Sequence, residues 1–504
     1  MFTLNPIFQT DGYKLDHRRQ YPKGTQYVYS NWTARGSRVP GINKVTFFGL
    51  QYALKKLNDE FKANFFARDV DEVCNEYQAM LDSFLGPNDI GTDHIRALHT
   101  LGYLPLEVKA LPEGTRVPLR VPMLTIENTH PEFFWLTNYF ETILSAELWM
   151  PMTSATVASH IRQDLNEWAL KTTGSTEGVG FSGHDFSMRG MAGAEAAIAS
   201  AMGHLVAFTG TETVPVLQAI PYYYPNTGFL AGTVPATEHS VMCAGGKEDE
   251  TETFQRLLDL YPTQILSVVS DTWDFWNVLT NILPSLKDQI LARGANGGKL
   301  VVRPDSGDPA DIICGTNAQA TDNNGWDSVE KGAIQVLWDE FGGTINEQGY
   351  KVLNPAVGLI YGDAMNRGRI NNINERLAAK GFASTNWVAG IGSFNYQYQT
   401  RDTFGFAMKA TNVVIEDEEK AIFKDPKTDN GLKKSLKGRI GVFTLKNDED
   451  NSLVKGSKGD LVAFDELRKD SSAYENSLLE PVFRDGVFIK EWTFDEVRAN
   501  SGLV

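Results

Sequence analysis

Six apolar runs in the middle of the chain stop at polar or glycine residues. HDF (His184–Phe186) ends the first, GTET (Gly210–Thr213) the second and SD (Ser270, Asp271) the third. RPDSGD (Arg303–Asp308) ends the fourth, GD (Gly362, Asp363) the fifth and GIGS (Gly390–Ser393) the sixth. Gathered in one place, these ends would offer the carboxylates Glu212, Asp271, Asp305 and Asp363, the guanidiniums Arg189 and Arg303, and glycine turns at Gly362, Gly390 and Gly392. Carboxylates suit ribose hydroxyls, a divalent cation or a developing positive charge. Arginines and glycine-exposed backbone N–H groups suit phosphate. The three together fit a phosphorylated sugar with magnesium, although any one strand-end aspartate could equally cap the next helix. No GxGxxG opens a helix and no GxxxxGK[ST] is present, so neither a dinucleotide fingerprint nor a Walker loop is expected.

Two further places hold usable chemistry. His239 follows Glu238 in TVPATEHS, a loop rich in Gly, Pro and Thr rather than an apolar face. It reads either as a hydrogen-bonded structural histidine or as an imidazole that accepts a phosphoryl group, oriented by a carboxylate. Near the start, TDGYKLDHRRQYP places Asp11 and Tyr13 ahead of a short basic run. That is either a helix cap with surface arginines or part of an aromatic pair, Tyr13 with Phe186, that stacks a flat heteroaromatic ring.

Elements must position these groups. From about 178 to 393 strand-like and helix-like runs alternate: VGFSGHDF runs into an Ala-rich helical pattern, LVAFTGTET follows, ILSVVSD, KLVVRPDSGDP and VGLIYGD each precede a helical pattern, and NWVAGIGS comes last. KLVVRPDSGDP precedes a later helix, expected at SVEKGAIQVLWDEF. Such repeats imply parallel strands with crossover helices, and in that architecture the C-terminal strand ends share one rim where ligands bind. Residues 46–83 read as helical, and 133–170 as two helices. Short β-like runs at 1–38, 104–127 and 405–504 suggest one discontinuous β-rich domain, with a hairpin at Arg484-Asp485-Gly486 and a polar loop at 425–437. The expected division is 1–150 with 405–504, and 151–404 as an α/β barrel.

Composition sets limits. The 504 residues carry a formal charge of −16, with 42% apolar and 11% aromatic residues. That fits a folded chain with a large core, and argues against a nucleic-acid or anionic-membrane surface. No run reaches the ~18 apolar residues of a membrane span, and Asp11, Lys14, Asp16 and His17 interrupt any early signal-like stretch. Cys74, Cys243 and Cys314 lie far apart, so no disulfide framework or zinc site is expected, and a reducing cytoplasm is favoured.

TDGYKLDHRRQYP, HDFSMRG, GTET, PATEHS, VVSDTWD, RPDSGDP, YGD and QTRD occur in this order, followed by KGRIGVF and a terminal TFDEVR. Together, from about residue 10 to 500, they resemble the nicotinamide phosphoribosyltransferase family. The resemblance implies a type II phosphoribosyltransferase fold, an irregular α/β barrel with a β-rich domain built from both chain ends. It implies a homodimer with shared active sites. It also implies transfer of phosphoribose from 5-phosphoribosyl 1-diphosphate to nicotinamide with magnesium, coupled to ATP hydrolysis through a phosphohistidine.

By motif, Phe186 and the partner subunit's Tyr13, beside Asp11, would sandwich the pyridine ring. Arg189 and Arg303 would hold diphosphate. His239 would be phosphorylated, supported by Glu238 and Asp271. Asp305, Gly362 and Asp363 would hold ribose and the 5′-phosphate. Arg401, Arg35, Lys409 and Lys424 would bring positive charge, and Gly392 and Ser393 a phosphate-binding turn. Two departures stand out. The family's GTDT is GTET here, so Glu212 reaches the carboxamide with one more methylene, and Ser393 stands where the family has a phosphate-binding glycine. A carboxylate at 212 accepts from an amide and repels nicotinate, the base of the closest rival reading.

Overall fold

The computed structural model describes residues 3–225, 228–321, 325–362, 365–428, 434–450 and 455–503. The chain forms two compact units. One holds Met1–Thr156, Ala219–Thr227 and Gln399–Gly502; the other holds Val157–Gln218, Gly228–Tyr398 and Leu503–Val504.

The second unit is built on six parallel strands. Their order across the sheet is Gly210–Thr211, Gly183–Asp185, Trp387–Ile391, Val357–Tyr361, Lys299–Arg303 and Ile265–Val269. Val, Ile and Leu crowd these runs because both faces are covered; all five residues of Val357–Tyr361 are buried. The two outer strands are bridged by the extended segment 232–237. Gly232 pairs with Gly210, and Ala236 pairs with Ser267. Thr237 N–H donates to the Ser267 carbonyl, and Thr211 N–H to that of Gly232. One irregular segment thus joins sheet edge to sheet edge, giving the expected α/β barrel its irregularity and leaving no open edge there. Leu266, Val268, Leu300, Val302, Leu359 and Ile391 pack with Phe254, Ile290, Ile334 and Ile370 from the surrounding helices in one core.

One expectation fails locally. LVAFTGTET is not a long strand. Helix Ala194–Leu205 runs into a turn in which the N–H groups of Ala207 and Phe208 both bond the His204 carbonyl, leaving only Gly210–Thr211 extended. The apolar run is buried, but helical carbonyls have taken its donors. The later helix expected after RPDSGDP is present as Ser328–Lys331 and Ala333–Phe341. An additional helix, Pro309–Cys314, precedes it, its N-terminus capped by Asp308 accepting from the Ala310 and Asp311 N–H groups, with Pro309 at the first turn.

In the first unit, strands from both chain ends share one seven-stranded antiparallel sheet. Its order is Glu418–Ala421, Phe406–Ile415, Thr25–Ala34, Pro122–Asn128, Leu106–Ala110, Glu480–Arg484 and Val487–Phe488. The last two form the expected hairpin, turning through Asp485 (φ 52°) and Gly486 (φ 78°), the left-handed pair that a two-residue loop needs. The two helices expected over 133–170 are mostly one, Glu141–Thr173, which continues through Pro151. The pyrrolidine packs on Gly49, where a Cβ would come within 2.6 Å of it. That packing offsets the lost backbone bond that normally ends a helix at proline. Residues 429–433 of the polar loop lie outside the described residues.

Glu113, with no solvent exposure, anchors this unit. Its carboxyl accepts from Gly49 N–H (2.8 Å), Gln51 N–H (2.6 Å) and Tyr224 OH (2.8 Å), at the start of helix Leu50–Phe61. Burial pushes its pKa up to about 7 against those three donors. A raised acid pKa makes the folded state hold the proton more tightly, so this group's stabilisation is complete below pH ~4.5 and lost as pH rises to about 7. Urea midpoints across that window should fall in wild type relative to Glu113→Gln, whose amide does not titrate. Parallel pH profiles would contradict this. Among the described residues no helix is long and apolar enough to cross a membrane, and Cys74, Cys243 and Cys314 are free thiols.

Candidate functional site at the strand ends

Asp185 organises the first part of the barrel rim. It is fully buried and accepts from Ser187 N–H (2.9 Å), Thr211 Oγ1 (2.7 Å) and Thr213 Oγ1 (2.7 Å), so one carboxylate ties HDF to GTET. Burial raises its pKa, but the field of His204 and these hydrogen bonds outweigh it and hold the group below the ordinary aspartate value. The Asp185 carbonyl also accepts from Glu212 N–H at 2.9 Å. Its neighbour Phe186 lies over bare backbone. A Cβ on Gly362 would come within 3.1 Å of that ring, and one on Gly390 within 2.6 Å. The half-buried phenyl face therefore has a glycine floor, which leaves it free to stack a ligand.

Glu212 is ionised at neutral pH. Burial raises its pKa, while hydrogen bonds from His184 (2.9 Å) and Thr233 and the charges of His184 and Arg303 bring it below the usual glutamate range. Arg303 donates to the Thr237 carbonyl. Burial lowers its pKa, opposed by the negative fields of Asp305, Glu212 and Asp271 and reinforced by the positive field of Arg189. Arg303 is therefore within electrostatic reach of groups from four different strand ends. Arg189 is exposed on the turn Met188–Gly190, and a Cβ on Gly190 would meet Ser393 Oγ within 2.1 Å. Gly392 precedes the short helix Ser393–Tyr396, with open space where its Cβ would stand.

His239 begins the short helix His239–Gly245, with its side chain 46% exposed. Its Nδ1 lies 3.0 Å from Thr272 Oγ1, and its Nε2 lies 3.4 Å from Asp305 Oδ2 and 4.0 Å from Asp271 Oδ1. Asp271 is held through Oδ2, which accepts from Asp305 N–H, Ser306 N–H and Ser306 Oγ at 2.9, 2.9 and 2.6 Å. Its Oδ1 is buried with no hydrogen-bond partner. Burial raises the Asp271 pKa, but those donors and His239 bring it below the ordinary value. Asp305 is raised, by burial first and then by the Asp271 charge. Tyr361 OH bridges the Ser306 and Gly307 carbonyls at 3.0 Å each, pinning this loop. One ligand atom from each of His239, Asp271 and Asp305 lies within 4.8 Å of the others. The orphaned Asp271 oxygen and the Asp305 carboxylate are hard oxygen donors that fit a magnesium ion. Glu238 accepts from Ser240 Oγ.

Asp11, Tyr13, Arg35, Arg401, Lys409 and Lys424 lie in the first unit. Asp11 accepts from Thr142 Oγ1 at 2.6 Å. Tyr13 is 64% exposed and lines a cavity of about 310 Å³ with Lys14, His17 and Glu141. Its pKa is raised by burial, then by Asp11 and Glu141, against Arg401. Lys409 is lowered by burial; Glu141, 3.8 Å away, opposes, while the positive fields of Arg35, Lys424 and Arg401 add to the lowering. Arg35 is held by the Gly405 carbonyl at 2.8 Å. Tyr13 and four cations thus form a second cluster. Asp363 lies outside the described residues.

The sequence assigned no role to Asp185, Thr233 or Thr272, and marked His184 only by its context in GHDF. Only HDF and the loop composition pointed at them, because their partners are distant in the chain.

Comparison with known proteins is consistent across the chain. Residues 181–472 match the Nicotinate phosphoribosyltransferase (NAPRTase) family, and residues 5–107 match the N-terminal domain of nicotinamide phosphoribosyltransferase. The chain is 47% identical to the nicotinamide phosphoribosyltransferase of Acinetobacter baylyi, over 99% of this chain and 97% of that protein. It is 39% identical to that of Mycoplasma pneumoniae, over 87% of this chain and 95% of that protein. Among solved structures, human nicotinic acid phosphoribosyltransferase superposes with a TM-score of 0.54 at 17% identity, over 99% of this chain and 92% of that one. Nicotinate-nucleotide pyrophosphorylase from Pyrococcus furiosus gives 0.57 at 14% identity, over 99% and 95%, a likeness of fold. The chain belongs to the nicotinamide phosphoribosyltransferase family and carries its type II phosphoribosyltransferase fold.

Proposed function

We propose that the protein joins nicotinamide to 5-phosphoribosyl 1-diphosphate in NAD salvage, forming nicotinamide mononucleotide and diphosphate, with ATP hydrolysis coupled through a phosphohistidine at His239. The observation that carries this reading is the position of Arg303. It stands in the field of Glu212, which suits an amide, and of Asp271 and Asp305 beside His239. Base, leaving group and phosphoryl acceptor could therefore be served from one rim.

The chemistry follows from these positions. Phe186 stacks the pyridine ring, and Glu212 accepts from its amide, aiming the ring nitrogen at the anomeric carbon. That nitrogen is already nucleophilic, so no general base is required. The ribosyl carbon becomes oxocarbenium-like as diphosphate leaves, and Arg303 and Arg189 stabilise the departing charge. Magnesium, arriving with the diphosphate, would neutralise further charge near Asp271 and Asp305. His239 is accessible, with Nδ1 anchored on Thr272 and Nε2 facing the carboxylates, so it can take the γ-phosphoryl group of ATP and later release it to water. Tyr13 supplies the second face of the sandwich from the partner subunit of a homodimer, and Arg35, Arg401, Lys409 and Lys424, some of them from that subunit, supply the remaining positive charge. Free thiols at all three cysteines suit a cytoplasmic setting.

Product analysis with phosphoribosyl diphosphate, magnesium and ATP, offering nicotinamide and nicotinate separately, tests this. Nicotinamide mononucleotide is the expected main product, and preference for nicotinate would overturn the amide assignment. In the same assay Tyr13→Ala and Phe186→Ala are each expected to be nearly inactive. Their random mixture should recover roughly a quarter of wild-type activity, since half the dimers regain one intact site of two. No recovery in confirmed mixed dimers would rule out shared sites.

A further inference from the structure

Glu212 is gripped on one side only. His184 Nε2 lies 2.9 Å from its Oε1, and Thr233 Oγ1 donates to the same Oε1. No hydrogen bond found among the described residues uses Oε2. The two donors come from different segments: His184 from strand Gly183–Asp185, and Thr233 from the extended piece that bridges the barrel edges. Each is placed by the fold. The His184 ring occupies the space above Gly210, where a Cβ would come within 2.4 Å of its Nδ1, and it sits 5.1 Å from the Phe186 ring, centroid to centroid. Because the carboxylate is ionised, Nε2 must carry the hydrogen it donates.

We infer that His184 and Thr233 are positioning residues for base selection: by holding Glu212 through Oε1 they turn its bare Oε2 towards the ring slot, where it accepts from a carboxamide and repels a carboxylate. A glutamate has one more rotatable bond than the aspartate of the family motif, and without restraint its acceptor would sweep several positions. Two donors converging on one oxygen remove that freedom and leave a single acceptor in place. This inference rests on the nicotinamide reading and deepens it, since it names what makes the longer side chain selective.

Steady-state kinetics with nicotinamide and with nicotinate on wild type, His184→Ala, His184→Gln, Thr233→Val and Thr233→Ser provide the test. His184→Ala and Thr233→Val are each expected to raise KM for nicotinamide about tenfold, with kcat within about threefold, and to lower the nicotinamide-to-nicotinate ratio of kcat/KM about tenfold. Thr233→Ser and His184→Gln keep a donor and should recover much of that ratio. In a Glu212→Asp background, where the shorter carboxylate leaves the grip, adding His184→Ala should change the ratio no further. A merely structural role would alter both bases alike and leave the ratio unmoved. Thr233→Val is nearly isosteric, so an unchanged ratio in that folded variant overturns the inference even if the histidine variants misfold. Wild type that favours nicotinamide with a ratio insensitive to both positions defeats this inference alone. Wild type that favours nicotinate defeats the proposed function and this inference with it.

Discussion

In His239→Ala, ATP no longer changes rate or yield, while a slower ribosyl transfer persists. At saturating ATP the expected fall is about a hundredfold, to the rate wild type shows without ATP. The groups that bind base and diphosphate are Phe186, Glu212, Arg189 and Arg303. None of them relies on His239 for its position; the nearest contacts of the imidazole are Thr272, Asp305 and Asp271. Removing it should therefore leave the ribosyl-transfer geometry in place and delete only the phosphoryl acceptor. Incubation with ATP labelled in the γ-phosphate should leave acid-labile, base-stable label on wild type and none on the variant. Unchanged ATP dependence in the variant would refute the phosphohistidine.

Asp185→Ala is the second large effect. Its carboxylate is the shared acceptor of one backbone N–H and two threonine hydroxyls, all inside the barrel unit. Truncation leaves those donors without a partner at a site water does not reach. The expected loss is about 3–5 kcal/mol of stability, read as a lower urea midpoint at unchanged slope. Activity should fall further than stability explains, about a hundredfold in kcat/KM at temperatures where the variant is folded, because Phe186 and Glu212 flank the lost tie. Asp185→Asn keeps the shape and one acceptor, so it should lie between the two. A folded Asp185→Ala of wild-type activity would show that the HDF–GTET link does not position the site.

Glu212 and Asp185 show how legible the site was. Glu212 was readable as a carboxylate that ends a strand-like run, and its pairing with an amide was implied only by the resemblance of GTET to the family's GTDT. Its orientation was not, since that depends on Thr233 twenty-one residues on and His184 twenty-eight residues back, joined only when the barrel forms. Asp185 read as the middle letter of HDF, yet its partners Thr211 and Thr213 lie 26 and 28 residues away. Glu238 read as the histidine's support by adjacency and by the resemblance of PATEHS to the family motif. In the fold its carboxylate meets Ser240, and Asp305 and Asp271 face the imidazole instead.

The misread segments have the same cause. Val206–Phe208 is apolar enough for a strand, but the preceding helix captures its N–H groups. Pro151 should end a helix by local rules, and packing on Gly49 carries the helix past it.

Local pattern by itself determined the alternation of strands and helices, the polar rim, the hairpin at Asp485-Gly486 and the inventory of acids, arginines and glycines. These depend on residue type within a few positions, which period and turn chemistry report directly. Only the tertiary structure decided that segment 232–237 bridges the sheet edges, which oxygen of Glu212 is left bare, and which carboxylates face His239. Those depend on hydrogen bonds between residues far apart in the chain, and a linear sequence carries no direct record of such distances.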